Sequence, residues 1–151
     1  MNEELMRQAR TSAGATCPSC NKFVKVYTRK LNSGMARTLI HIYRQARKTN
    51  NEWLDVLHHC TNIGFVAGEV GKLVWWGLLQ KHTGKAKDGN SNGLYRMTRK
   101  GSMFVKQRIT VPSYAVEYMS KVEKFEGDDT DIIQALDNEF NYRELMGENA
   151  L

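Results

Sequence analysis

The sequence predicts an α+β fold, and three segments carry this prediction. Residues 34–48 have the apolar spacing of an amphipathic helix, and residues 78–97 read as two short strands joined by a polar loop. Residues 114–125, which follow Pro112, combine β-branched and aromatic residues and indicate further β-structure. We therefore expect helices packed against short β-hairpins.

Length and composition set the outer limits of this fold. The chain has 151 residues, of which 41% are hydrophobic, so it can bury one core and carry a small appendage. We expect an N-terminal tail and cysteine turn over residues 1–31, a central domain over 32–112 and an acidic extension over 113–151. No apolar run reaches the roughly 20 residues that span a bilayer, and the first ten residues are too charged for a signal peptide. We expect a cytoplasmic protein that does not bind membranes.

A close cysteine pair lies near the start of the chain, in the sequence C-P-S-C, ahead of a short β-like run over residues 23–27. An odd total of three cysteines fits a reducing compartment better than a disulfide framework. Two thiolates on a tight turn supply half of a tetrahedral zinc site, and His41, His82 or the H-H-C cluster at 58–60 could supply the rest. The alternative is an empty knuckle with a buried core thiol at position 60. The predicted zinc ligands are Cys17, Cys20, His59 and Cys60.

The clearest predicted helix runs from Gly34 to about Lys48, with Asn32 or Ser33 as its cap. One of its faces is basic, and we expect this face to be solvated, although it could also reach a DNA backbone. The apolar face, which we expect in the core, comprises Met35, Leu39, Ile42, Tyr43 and Ala46.

Two more helices are predicted to follow and to form a helix-turn-helix. The first covers Glu52 to Cys60, although the alternation of its apolar residues also permits a strand. The second covers Phe65 to Trp76 and ends at Gly77. Its inward-facing residues are predicted to be Val66, Val70, Leu73 and Trp76.

A strand is expected to begin at Leu78–Leu79 and to pair with Leu94–Met97 across a polar tip, and Thr98 can cap the next helix. The pattern G-L-L…G-L-Y-R-M-T-R-K-G-S-M-F resembles the wing of winged-helix DNA-binding domains, particularly the MarR-like form. The resemblance covers about a third of the chain. It implies a winged helix-turn-helix core with a β-hairpin wing. The sequences K-L-V-W-W-G-L-L and I-T-V-P also resemble small bacterial and phage proteins, which implies an architecture but no activity.

Charge is divided unevenly along the chain. Residues 1–116 hold 19 of the 22 Lys and Arg and 6 of the 16 Asp and Glu, a net charge of +13, whereas residues 117–151 carry −7. A basic body attracts phosphate in a salt-dependent manner. We predict binding of duplex DNA through the wing, with modest sequence specificity, by a small transcriptional regulator or DNA accessory factor. The predicted contacts are Lys72, Lys81, His82, Lys85, Lys87, Arg96, Arg99, Lys100, Lys106 and Arg108.

Other functions stay open at this point. The alternative is a protein-interaction module that uses the Trp75–Trp76 helix and the acidic extension, and a third reading is a structural zinc ribbon. The extension could cover the basic surface, bind a protein partner or fold against the body, and we expect the last, with Thr130 or Asp131 capping a helix. The chain has no phosphate-binding loop or dinucleotide fingerprint, so we do not expect an enzyme. A second copy of the chain is a further candidate partner.

Overall fold

The protein is described by a computed structural model, which covers residues 3–9, 14–18, 20–21, 23–56, 67–84, 93–119 and 121–147. Within these ranges the fold is α+β, as predicted. It divides into two compact units, each made of two stretches of chain: Met1–Lys30 with Pro112–Asp128, and Leu31–Val111 with Asp129–Leu151. The predicted extension over 113–151 therefore contributes to both units.

The described residues form six helices and eight strands. The helices are α1 (Glu3–Ala9), α2 (Ser33–Lys48), α3 (Ala67–Lys72), α4 (Arg99–Val105), α5 (Ile132–Leu136) and α6 (Tyr142–Leu145). The strands are β1 (Ala15–Thr16), β2 (Phe23–Val24), β3 (Val26–Lys30), β4 (Leu54–Asp55), β5 (Leu79–Lys81), β6 (Leu94–Met97), β7 (Val111–Tyr118) and β8 (Lys121–Thr130). None of these helices is long and apolar enough to cross a membrane.

The first unit is built around a three-stranded sheet in the order β3-β7-β8. β3 and β7 are antiparallel, with Val26 opposite Tyr118. A small apolar cluster of Leu5, Val26 and Val116 is buried in this unit, and Cys17 packs against it. The prediction of β-structure after Pro112 is confirmed, because β7 and β8 cover that segment.

The second unit is organised by α2. Asn32 caps this helix, since its side-chain oxygen accepts a hydrogen bond from the Met35 amide at 2.8 Å. The predicted apolar face is confirmed as core at four of its five positions, and Ala46 is only half-buried. The buried residues of α2 are Met35, Ala36, Thr38, Leu39, Ile40, Ile42 and Tyr43.

The prediction of a helix from Glu52 to Cys60 is wrong at its start. Leu54 and Asp55 form β4, which pairs antiparallel with β6 and places Leu54 opposite Tyr95. Leu54 is buried while Asp55 is exposed, as expected for a strand with one face in the core, and the chain is already helical at Val56. Residues 57–60 lie outside the described part of the chain.

The predicted helix from Phe65 to Trp76 is shorter in the structure. It is α3, and a series of turns continues it to Gly77, whose φ of 74° suits glycine. Val70, Leu73 and Trp76 are buried as predicted. The predicted start of this helix, including Val66, falls outside the described residues.

Thr98 links the end of this segment to α4. Its hydroxyl accepts a hydrogen bond from the Gly101 amide at 2.9 Å, as the predicted helix cap requires. The same hydroxyl donates a hydrogen bond to the Gly77 carbonyl at 2.6 Å. This one side chain therefore fixes the junction between the turn at Gly77 and the start of α4.

The two helices of the C-terminal extension, α5 and α6, pack against α2, which agrees with the expectation that the extension folds on the body. Asp131 and Gln134 form a reciprocal capping box at the start of α5. Ile132, Ala135 and Leu136 are buried. The Tyr142 hydroxyl donates a hydrogen bond to the Val105 carbonyl at 2.6 Å and so fixes α6 beside α4.

Candidate nucleic-acid interface

The sheet of the second unit, in the order β4-β6-β5, has one apolar and one polar face. Leu79, Tyr95 and Met97 are buried, with exposed fractions of 2%, 9% and 4%. Because side chains alternate along a strand, Gln80 and Arg96 lie on the opposite face. The hairpin predicted to be a wing therefore presents polar and charged groups on its outer face.

Arg96 is held in a defined position on this outer face. Its guanidinium carbon lies 4.3 Å from the centre of the Trp53 ring, and its Nε donates a hydrogen bond to Gln80 Oε1 at 2.9 Å. The His82 ring meets Trp53 edge-on, with ring centres 4.8 Å apart. His82 Nδ1 accepts a hydrogen bond from the Gly84 amide at 2.9 Å. We call Trp53, Gln80, His82 and Arg96 the outer-face cluster.

Three further cations of the predicted set flank the hairpin. Lys81 ends β5, and Arg99 and Lys100 form the start of α4 directly after β6. All three are exposed, and in the described ranges none of them forms an ion pair with a carboxylate. Lys100 lies beside the end of the α3 segment, because a Cβ at Gly77 would be 3.6 Å from its Cδ. Positive charge therefore extends from the hairpin to the start of α4.

The structure divides the predicted nucleic-acid set into two groups. Helix α4 has 7 residues, and at about 1.5 Å of rise per residue its ends are about 10 Å apart. Arg99 and Lys100 occupy the first turn, whereas Lys106 and Arg108 follow the other end. Lys106 and Arg108 line a groove together with residues of α2 and α6 and not with the outer-face cluster. Lys85 and Lys87 lie outside the described residues.

Helix α3 offers few groups for reading base edges. Lys72 is its one basic residue and is half-buried. The Glu69 carboxylate accepts a hydrogen bond from Asn32 Nδ2 at 3.1 Å, so it is directed to the start of α2. Trp76 is 1% exposed and Trp75 is half-buried, with the two rings stacked 6.5 Å apart. Little of the tryptophan pair is therefore available to a partner.

The predicted zinc ligands are only partly described. Cys17 and Cys20 lie on the connection between β1 and β2, where the Asn21 amide donates a hydrogen bond to the Cys17 carbonyl at 2.8 Å. Cys17 is half-buried and Cys20 is exposed. In the described ranges no group of three or more candidate ligands comes together, and His59 and Cys60 lie outside them. The described residues thus supply at most two of the four ligands of a structural zinc site.

Sequence reasoning did not assign Trp53 and Gln80 to the candidate interface. Both act through Arg96, and both contacts depend on the register of the sheet, in which Gln80 lies opposite Arg96. The sequence signal is the alternation of apolar and polar residues around Leu54, which would place Trp53 on the outer face of a strand but extends over too few residues to distinguish a strand from a helix.

Comparison with known proteins does not assign the chain to a family. No protein-family model matches it, and no curated protein or solved structure is significantly similar to it.

Proposed function

We propose that this chain is a winged-helix protein that binds duplex DNA through the hairpin of β5 and β6, as a small bacterial or phage transcriptional regulator or DNA accessory factor. The observation that carries the proposal is the strand order β4-β6-β5. The resemblance of the sequence to a winged helix implies a β-hairpin wing next to the helices. Here β4 follows α2 and pairs with β6, and β5 pairs with the other edge of β6.

The charge of the hairpin supports the same proposal. Lys81, Arg99 and Lys100 are exposed and have no carboxylate partner among the described residues, so binding phosphate would replace water and counterions rather than an internal ion pair. Arg96 is already oriented by Trp53 and Gln80, which lowers the entropy that a contact with phosphate would cost. We expect these cations to contact backbone phosphates at the edge of a DNA groove.

We infer that specificity is modest. Contacts to phosphate set the position of a protein on DNA, whereas base edges are read by side chains that enter the grooves. Arg, Asn and Gln are the usual readers in the major groove, and none of them occurs in α3. The protein should therefore bind many duplex sequences with similar affinity.

The proposal is tested by fluorescence anisotropy of the full chain with a labelled random-sequence duplex at several salt concentrations. Each neutralised phosphate contributes about −0.9 to the slope of log affinity against log salt, so three to five contacts give a slope between roughly −2.7 and −4.5. The triple variant Lys81→Gln, Arg99→Gln, Lys100→Gln should bind at least about tenfold more weakly at low salt and have a flatter slope.

A matched control separates the hairpin from net charge. The variant Lys30→Gln, Lys121→Gln, Lys124→Gln also removes three exposed cations, but these lie on β3 and β8 in the first unit. We expect it to retain most of the affinity. Equal losses in the two variants, or no binding of the wild-type chain at low salt, would contradict the proposal.

A further inference from the structure

A basic groove lies in the second unit, apart from the outer-face cluster. It has a volume of about 790 Å³, within the usual range for ligand sites. Its walls come from the C-terminal half of α2, the segment that follows α4, and the region of α5 and α6. The residues that carry the argument are Arg47, Lys106, Arg108, Ile133, Tyr142 and Arg143.

Three exposed cations of the groove have no carboxylate partner among the residues that the structure describes. Arg47, Lys106 and Arg108 are exposed, and in the described part of the chain none of them pairs with a carboxylate. Arg143 is a fourth basic residue in the wall, and none of the described lining residues is an Asp or a Glu. A concave surface with charge of one sign attracts ligands of the opposite sign. The occupant should therefore be an anion or an acidic chain.

The most exposed apolar side chain among the described lining residues is Ile133, whereas the aromatic residues Tyr43, Phe140 and Tyr142 are buried or half-buried. Ile133 is 42% exposed, although it lies in a helix whose other apolar residues are buried. Tyr43 is only 7% exposed, and the Arg37 guanidinium lies 4.5 Å from the Phe140 ring centre. Single-stranded nucleic acids need open aromatic faces for their bases. These rings offer little such surface, whereas Ile133 suits an apolar side chain.

We propose that this groove binds an acidic peptide segment of a protein partner, with carboxylates on Arg47, Lys106 and Arg108 and an apolar side chain against Ile133. The groove and the cations proposed to bind DNA lie at opposite ends of α4, with Arg99 and Lys100 about 10 Å from Lys106 along the helix axis. The protein would then bind duplex DNA with one surface and an acidic partner with another. Such an arrangement brings a partner to DNA.

The test begins with selection from a random twelve-residue peptide library on the immobilised full-length chain, with counter-selection on the variant Arg47→Gln, Arg108→Gln. We expect enriched peptides to be rich in Asp and Glu and to contain a Leu, Ile or Met. The dissociation constant of a labelled enriched peptide is then measured by anisotropy. It should rise at least tenfold in the Arg47→Gln, Arg108→Gln variant and severalfold in Ile133→Ser.

The matched control is the variant Arg99→Gln, Lys100→Gln, which removes two exposed cations from the opposite end of α4. It should bind the peptide within about twofold of the wild-type chain and bind duplex DNA more weakly, and circular dichroism checks that each variant is folded. Selection without enrichment of acidic residues, or equal loss of peptide affinity in the two arginine variants, would overturn the proposal. In competition experiments, unlabelled peptide and single-stranded DNA of equal charge are each used to displace the labelled peptide. The proposal would also be overturned if the DNA displaces it at a lower concentration than the unlabelled peptide does.

Discussion

The side chain of Asn51 pairs with the backbone of Met97 in the way that a neighbouring strand would. Its Nδ2 donates a hydrogen bond to the Met97 carbonyl at 3.0 Å, and its Oδ1 accepts one from the Met97 amide at 3.1 Å. Met97 is the last residue of β6, and the short strand β4 begins only at Leu54. The carboxamide therefore extends the edge of the sheet beyond β4.

Replacing Asn51 by Ala should destabilise the protein. The change leaves the Met97 amide and carbonyl without this partner, which costs about 1 to 3 kcal/mol when such groups are buried. Asn50→Ala is a matched control, because Asn50 has nearly the same backbone conformation, with φ of 56° against 60°. Urea unfolding gives the free energy of unfolding of both variants and of the wild-type chain. Equal losses in the two variants would show that the backbone conformation, and not the pairing with Met97, explains the effect.

Gly101 is required by close packing at the start of α4. A Cβ at this position would overlap the carbonyl oxygen of Leu78 and lie 3.0 Å from Met97 Cε. A backbone carbonyl cannot rotate away as a side chain can, so we expect Gly101→Ala to lower the free energy of unfolding by about 3 kcal/mol.

Gly71→Ala is the matched control for this substitution. Among the residues that the structure describes, a Cβ at Gly71 would meet only the Tyr95 hydroxyl oxygen, at 3.7 Å, which is ordinary van der Waals contact. Alanine also favours a helix by up to about 1 kcal/mol over glycine. Denaturant unfolding should therefore show Gly71→Ala to be unchanged or more stable. A loss at Gly71 as large as that at Gly101 would contradict this account.

Local signals in the sequence predicted the local features of the fold. The sequence predicts Thr98 as a helix cap and narrows the caps of α2 and α5 to two neighbouring residues each, of which Asn32 and Asp131 are the caps, because a cap depends on residues within one turn. Gly77 was recognised as a stop because the left-handed conformation favours glycine. The strand at Leu54 was taken for part of a helix because its pairing partner, Tyr95, is far along the chain. A two-residue strand gives too short an alternation to predict by itself.

The candidate interface was predicted residue by residue but not as an arrangement. Composition identified Arg96, Arg99 and Lys106 as cations, yet it could not indicate that α4 separates Lys106 from the other two. The partner of Asn51 is 46 residues away, and the contact of Gln80 with Arg96 depends on the register of β5 and β6. Contacts of this kind follow from tertiary structure, which periodicity does not encode.

Tyr95 should make stability depend on pH in the alkaline range. Burial raises the pKa of the Tyr95 phenol above its ordinary value of about 10, because the charged form is desolvated. A group whose pKa is raised in the folded state contributes stability below the unfolded pKa and loses it as pH rises through the folded pKa. The free energy of unfolding should therefore fall above about pH 10.

The variant Tyr95→Phe isolates this contribution, because it keeps the ring and removes the ionisable group. Urea unfolding of both proteins between pH 8 and pH 11 gives two curves, and deprotonation of lysines affects both alike. We expect the wild-type curve to fall more steeply above pH 10. Parallel curves would mean that the Tyr95 phenol ionises equally well in the folded and unfolded chains.

Trp53 should contribute to DNA binding only through Arg96. A partly exposed cation–π contact stabilises by about 0.5 to 1 kcal/mol, so Trp53→Leu should weaken binding of a random duplex about two- to fivefold. In a double-mutant cycle measured by anisotropy, Trp53→Leu should cause little further loss of DNA affinity when Arg96→Gln is already present. Additive losses would mean that Trp53 contacts DNA itself or that its replacement disturbs the sheet.

The sequence prediction of a zinc knuckle is best tested at Cys20. Cys17 packs against the buried cluster of Leu5, Val26 and Val116, so Cys17→Ser should cost at least about 1 kcal/mol even if no metal binds. Cys20 is exposed, and its replacement should lower stability only if its thiolate is a ligand. If the zinc knuckle exists, native mass spectrometry of Cys20→Ser prepared without chelator should show one zinc ion fewer than the wild-type chain. Thermal unfolding of the variant should also show a lower Tm. An unchanged mass, apart from the substitution, and an unchanged Tm would leave Cys17 as a packing residue and Cys20 without a role in metal binding.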